Sequence, residues 1–249
     1  MNVTHIVDAS TEVLVSDVVE DTVAAISHNW QQNRSAHVVL TGGRTGVQIA
    51  QTLDTEVFRL VNSEPILART AISDGVSLHI WFSDERFTAL EDSERTDSKL
   101  IAAFQKCVTV KTLTINFHRV ASPVDMSLES AADLYSKDLD ESVGPDHFDV
   151  VLLSMGEDGH IASLFPGLKT TAHSTKSAVA VDNSPKPPAE RVSISVDRLA
   201  SANAIYIFAL GEGKREALVD FVANKRGPIS MLVEASKFSQ MFIATDLKI

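Results

Sequence analysis

Asp158, Gly159 and His160 lie in the stretch Ser154-Met-Gly-Glu-Asp-Gly-His-Ile-Ala-Ser-Leu-Phe-Pro-Gly167, between a very apolar run and an apolar tail. An imidazole takes and returns a proton near neutral pH. A carboxylate two residues away can fix its tautomer and strengthen it as a base. Gly159 permits the sharp turn that would bring the two side chains together. A lone histidine is more often structural, but this setting makes His160 a candidate base with Asp158 as its catalytic partner, while Glu157 reads as a solvated neighbour.

Other residues have the chemistry to hold an anion. Leu40-Thr-Gly-Gly-Arg-Thr-Gly46 leads from an apolar run into a helical pattern, so free N–H groups at a helix start can receive an anion without a clashing Cβ. Gly42, Gly43, Arg44 and Thr45 are its candidate substrate-binding residues. The stretch lacks the Gly-Lys-Ser/Thr ending of a P-loop and the full G-x-G-x-x-G spacing of dinucleotide folds. In Trp81-Phe-Ser-Asp-Glu-Arg-Phe87, charged residues follow an apolar strand directly, and Asp84 and Arg86 join the candidates. The forked guanidinium of Arg86 suits phosphate or carboxylate. Arg191, opening Arg-Val-Ser-Ile-Ser-Val, and Lys214, at a helix start, each read alone as a surface charge. Together with Arg86 they can compensate a dianion.

Other chemistries are poorly supplied. The eight histidines form no H-x-x-x-H pair and the single cysteine, Cys107, cannot build a cage, so no metal site is expected. Cys107 reads as a small buried hydrophobe. No G-x-S-x-G elbow surrounds Ser154 or Ser163, which leaves water activated by a base as the simplest nucleophile.

These groups need a scaffold that brings strand ends together. The apolar residues Val15, Val19, Val23, Ile26 and Trp30 recur at steps of three and four, which predicts a helix over about residues 11 to 32. Residues 37 to 43, His-Val-Val-Leu-Thr-Gly-Gly, followed by Val47, Ile49, Ala50 and Leu53, read as strand, tight turn and helix. The same grammar recurs at 76–85, 112–120, 147–156 and 202–214, and Phe-Ser-Gln-Met-Phe-Ile-Ala-Thr-Asp reads as a final short strand. Val150-Val-Leu-Leu153 is apolar at consecutive positions, as in parallel strands covered on both faces. A doubly wound α/β fold is expected, with a mainly parallel sheet and helices on both faces. In such sheets ligands sit beyond the carboxyl ends of the strands, where the candidate residues fall. Residues 168–190, with Pro185, Pro187 and Pro188 clustered, read as an irregular surface excursion within one domain spanning 1–249.

The 249 residues carry a formal net charge of −11, with 22 Lys and Arg against 33 Asp and Glu, and no dense basic run. A phosphate-backbone partner has no electrostatic footprint here, so no nucleic acid is expected. A small anion can still be held locally, because charge is screened over about 8 to 10 Å. The first residues are acidic, with no long apolar segment, and no run approaches the ~18 apolar residues of a membrane span. A soluble cytoplasmic protein without membrane contact is expected.

Taken in order, Leu-Thr-Gly-Gly-Arg-Thr-Gly, Trp-Phe-Ser-Asp-Glu-Arg-Phe, the Ser154 to Gly167 stretch, residues 191–214 and Gly227-Pro-Ile-Ser-Met-Leu-Val-Glu-Ala-Ser236 resemble the 6-phosphogluconolactonases of the pentose phosphate pathway. The likeness covers nearly the whole chain, and the string from Asp158 to Gly167 is its most specific part. The resemblance implies a NagB/RpiA-like, Rossmann-like α/β fold. It also implies hydrolysis of 6-phospho-D-glucono-1,5-lactone to 6-phospho-D-gluconate with no metal or organic cofactor, commonly by a monomer. His160 then corresponds to the general base with Asp158 beside it, and the phosphate would rest on Gly42 to Thr45 with help from Arg86, Arg191 and Lys214. The family's first loop usually reads G-G-S-T-P, whereas Arg44 and Gly46 stand here in place of the Ser and Pro, and Ile161 stands where Thr is common. Glucosamine-6-phosphate deaminase, a relative with its own D-G-H-I-A string, continues as F-N-E-P; here Ser163-Leu-Phe-Pro166 follows, without the acid. A sugar-phosphate sensing domain is the other alternative, but the N-terminal portion is read as one long helix before the first strand, with no DNA-binding module.

Overall fold

Runs that are apolar at consecutive positions become strands covered on both sides. In Val150–Ser154, Val151 and Leu153 pack with one layer of helices, and Val150 and Leu152 with the other. The computed structural model describes residues 3–63, 75–124, 126–144, 147–237 and 239–248. Its first elements are β1 (Val3–Val7), α1 (Thr11–Asn33), β2 (Ser35–Leu40), α2 (Gly43–Val61), β3 (Val76–Phe82) and β4 (Asp84–Arg86). Then come α3 (Asp97–Ile101), β5 (Leu113–His118), α4 (Leu128–Ser142), β6 (Val150–Ser154), β7 (Ala178–Val181) and β8 (Arg191–Ile194). The chain continues through α5 (Val196–Leu199), β9 (Ala204–Ala209), α6 (Arg215–Asn224), α7 (Pro228–Ala235) and β10 (Gln240–Thr245).

Seven strands form one sheet in the order β1-β10-β9-β6-β2-β3-β5, and every neighbouring pair is parallel. Side-chain alternation along these strands feeds two cores. Val38, Leu40, Ile80 and Phe82 meet α1 and α2, while Val39, Trp81, Ile205 and Ile207 meet the layer containing α4 to α7. The helix α1 starts where Ser10 Oγ accepts the N–H of Val13, and buries Leu14, Val15, Val18, Val19, Ile26 and Trp30. From β2 the chain winds out to β3 and β5, then returns to β6 beside β2 and winds the other way. Strand order therefore reverses between β2 and β6, which opens a crevice beyond their carboxyl ends.

Three expectations are corrected. A strand, β1, precedes α1 and adds to the sheet edge at β10, with Val3 opposite Met241; its mostly exposed side chains lack the apolar run that marks the other strands. The charged residues that follow the apolar strand are more than a loop at its end, since the chain breaks at Ser83 and Asp84–Arg86 enters a second sheet. That sheet is antiparallel, in the order β4-β8-β7, and draws β7 from the segment read as irregular. Ser83 joins the two sheets by donating its N–H to Leu40 O (2.9 Å) and accepting from Ile194 N (2.9 Å). The expected last strand runs Gln240–Thr245, and Phe238 lies outside the described residues. No helix among the described residues is long and apolar enough to cross a membrane.

Candidate active site

Two loops meet at the crevice: Thr41–Gly43 after β2 and Met155–His160 after β6. They line a cavity of about 400 Å³. The second loop folds back on itself, with Gly156 N–H donating to His160 O (2.7 Å) and Gly159 N–H to Gly156 O (3.0 Å). Gly159 has φ +80, which glycine adopts without a Cβ penalty. A Cβ on Gly156 would overlap the His160 ring and crowd Asp158 Oδ1, so a glycine there is what lets the imidazole lie over its own loop.

His160 Nδ1 is hydrogen bonded to Asp158 Oδ1, and the ring packs at 4.5 Å between centroids on Phe165. With Nδ1 so engaged, Nε2 is the ring nitrogen available to a water in the cavity. The His160 side chain is 17 % exposed. Burial holds its pKa below the ordinary value, Asp158 opposes that, and the Lys186 cation adds to it. Burial pushes Asp158 up, but hydrogen bonds from His160 and Lys186 outweigh it and leave the carboxyl below its ordinary range. The pair is thus poised as neutral imidazole and carboxylate.

Cations from separate elements face this pair across the cavity. Arg86 comes from β4, Arg191 from β8 and Lys214 from the head of α6. Arg86 Nη1 donates to Glu94 O (3.1 Å), which leaves the guanidinium part-exposed. Arg191 differs from the surface charge its sequence context implies, being only 3 % exposed. Its Nε donates to Pro188 O (3.1 Å), and its Nη2 to Lys186 O (3.0 Å) and Pro187 O (3.3 Å). Asp84 also lines the cavity; its Oδ2 accepts from Ser163 Oγ (2.5 Å) and its Oδ1 from Ser83 Oγ (3.0 Å).

Behind Arg86 lies a closed ionic network. The carboxylate of Glu85 accepts the N–H groups of Arg86 (2.7 Å), Thr96 (2.9 and 3.0 Å) and Asp97 (2.6 Å). Arg95 bonds Asp97 through Nε (3.2 Å) and Nη2 (2.7 Å), and Arg119 reaches the same carboxylate (2.9 Å). Burial pushes Glu85 up, reinforced by the Asp97 charge, whereas the arginine hydrogen bonds overcome burial at Asp97 and hold it down. This network fixes β4 to the start of α3, where Thr96 packs against Gly42 at the cavity wall.

The structure therefore brings Gly42, Gly43, Asp84, Arg86, His160, Arg191 and Lys214 to one cavity, with Asp158 held behind His160. Two expected members fall outside it. Arg44 lines an adjoining groove of about 420 Å³ that shares Gly43, Arg86 and Thr96 with this cavity, and Thr45 lines neither space. Glu157, read as a bystander, does line the cavity. Lys186, Thr96 and Ser154 were not anticipated. For Lys186 the available signal was a lysine flanked by Pro185, Pro187 and Pro188 just before a strand.

Residues 9–241 match the family model described as glucosamine-6-phosphate isomerases/6-phosphogluconolactonase. The chain is 33 % identical over 193 residues to a 6-phosphogluconolactonase of Streptomyces coelicolor, covering 74 % of this chain and 69 % of that protein. It is 29 % identical over 227 residues to one of Mycobacterium tuberculosis, covering 89 % and 86 %. A solved 6-phosphogluconolactonase from Trypanosoma cruzi superposes with a TM-score of 0.79 at 22 % identity, over 98 % of this chain and 94 % of that one, and so shares its fold. With a family model spanning nearly its whole length, this chain belongs to the glucosamine-6-phosphate isomerase/6-phosphogluconolactonase family.

Proposed function

We infer that the chain is a 6-phosphogluconolactonase, hydrolysing 6-phospho-D-glucono-1,5-lactone to 6-phospho-D-gluconate with His160 as general base. The observation that carries the mechanism is a histidine whose Nδ1 is held by a carboxylate, at a crevice whose facing walls supply cations. A δ-lactone needs a base, a positioned water and donors for the oxyanion, and no covalent nucleophile. Nε2 takes a proton from water as its oxygen bonds to the carbonyl carbon. Collapse of the tetrahedral intermediate breaks the bond to the ring oxygen, and the imidazolium returns the proton to that oxygen. The new carboxylic acid then ionises.

The phosphate at the far end of the sugar fits the amides of Gly42 and Gly43 at the start of α2, together with Arg86, Arg191 and Lys214. Gripping it there supplies binding energy that fixes the carbonyl against His160. Arg44, in the adjoining groove that shares Gly43 and Arg86 with the cavity, is a further candidate for the same phosphate. Ser163-Leu-Phe-Pro166 places no acid where the deaminase string has one, and Ser163 is instead bonded to Asp84. The reading is tested by generating the lactone with glucose-6-phosphate dehydrogenase and following its disappearance. The protein is expected to accelerate hydrolysis well beyond the spontaneous rate, and no acceleration would refute the assignment.

A further inference from the structure

The loop between β7 and β8 is fastened more firmly than a solvated surface segment needs. Ser184 Oγ accepts the N–H of Lys186 (3.2 Å) and donates to Lys186 O (2.9 Å), and Ser184 N–H closes the loop on Ala189 O (3.0 Å). The buried Arg191 spends Nε and Nη2 on carbonyls of Lys186, Pro187 and Pro188. The lysine that this scaffold presents crosses to the other side of the cavity, where its Nζ donates to Asp158 Oδ1 (3.2 Å). That oxygen is the same one bonded to His160 Nδ1.

We propose that Lys186 is a positioning residue of the proton-transfer site: by sharing Asp158 Oδ1 it divides the carboxylate between two donors and keeps the His160 imidazole neutral, ready to accept a proton from water. The inference rests on His160 being the base. Without Lys186, Asp158 would act on His160 alone and stabilise the imidazolium, which is useless as a base. Lys186 also carries a like charge that disfavours protonation of the ring. Both effects have the same sign. The remaining charged groups around the ring are Glu157 on its own loop, Asp84 and Arg86 from β4, Arg191 from β8 and Lys214 from α6. The two carboxylates favour imidazolium and the three cations oppose it. Because Lys186 is 45 % exposed, water screens its charge, so a shift of about half to one pH unit is expected.

The experiment follows the His160 ring resonance by NMR in the full chain, assigned by its loss in His160→Ala, alongside the pH profile of kcat/KM. In Lys186→Met, the His160 midpoint and the acid limb of the profile should both move up by about half to one pH unit. Lys186→Arg should restore both. Lys186→Gln, polar and uncharged, carries the same measurement if the Met variant loses its cooperative melt. An unmoved His160 midpoint in a folded variant overturns the proposal, and so does a change confined to KM, which would make Lys186 a ligand of the substrate. Either result leaves the base assignment intact; that assignment fails separately if His160→Ala keeps its turnover.

Discussion

Two clusters of carboxylates and cations meet at the crevice, and they differ in what they leave unsatisfied. In the Glu85–Arg95–Asp97 cluster every side chain is fully buried. Glu85 collects backbone N–H groups, Asp97 is bonded by both arginines, and Arg95 spends its other donors on Thr88 O (3.1 Å) and Val120 O (2.7 Å). The His160–Asp158–Lys186 cluster is open: Asp158 and Lys186 are more than a third exposed, and His160 lines the cavity. A saturated ionic cluster can hold geometry but cannot exchange a proton cheaply, because each change of charge strands a buried partner. An open one can. Strand alternation links the two, since in β4 Glu85 points into the closed network while Asp84 and Arg86 point into the cavity.

The contrast breaks most readily at His160. His160→Ala should lower kcat by about a thousandfold, the scale of general-base catalysis, while the thermal melt stays close to native. Near-native turnover in the coupled assay would mean that the open cluster is not the reactive one. Arg95→Met should do the reverse. It leaves buried Glu85 and Asp97 short of a cation, which costs about 3 kcal/mol of stability. For a chain of this length that lowers the melting temperature by about 6 to 12 °C. A native melt in calorimetry would show that Arg119 alone neutralises the network.

The same contrast explains what the sequence made legible. Parallel strands announce themselves as continuous apolar runs, and the ends of β2 and β6 carry glycines that mark turns, so the crevice and the Asp158–His160 pair follow from local pattern. The second sheet does not. Its strands are three or four residues long, and β4 is entirely charged, so Asp84-Glu-Arg86 looks like a solvated trio. Arg95 and Asp97 lie in a polar stretch whose burial no periodicity signals, because it is earned by partners such as Arg119 and Val120 O, distant in sequence. Lys186 was hidden for the same reason: its direction is set by Arg191 and Ser184 rather than by its proline neighbours. A glycine turn shows where amides gather, but not which way the first helical turn points its side chains, so the place of Arg44 in the adjoining groove is not legible from it.

A smaller effect sharpens the comparison through pH. Asp97 is held below its ordinary value of 3.8, so its contribution to stability is present above that value and is lost as pH falls toward the folded one. Glu85 is shifted the other way, above 4.5, so its contribution grows as pH falls and is already complete below 4.5. Between pH 4 and pH 3 the network's change is therefore dominated by Asp97. Asp97→Asn removes that titration and leaves an amide among the arginines. Its melting temperature should lie below native at pH 7, and the gap should narrow by about 1 kcal/mol, or about 2 to 4 °C, between pH 4 and pH 3. His160 and Asp158 contribute equally to both curves, so they cancel in the difference. A gap that stays constant through that window would mean that Asp97 is not the anion on which the closed cluster depends.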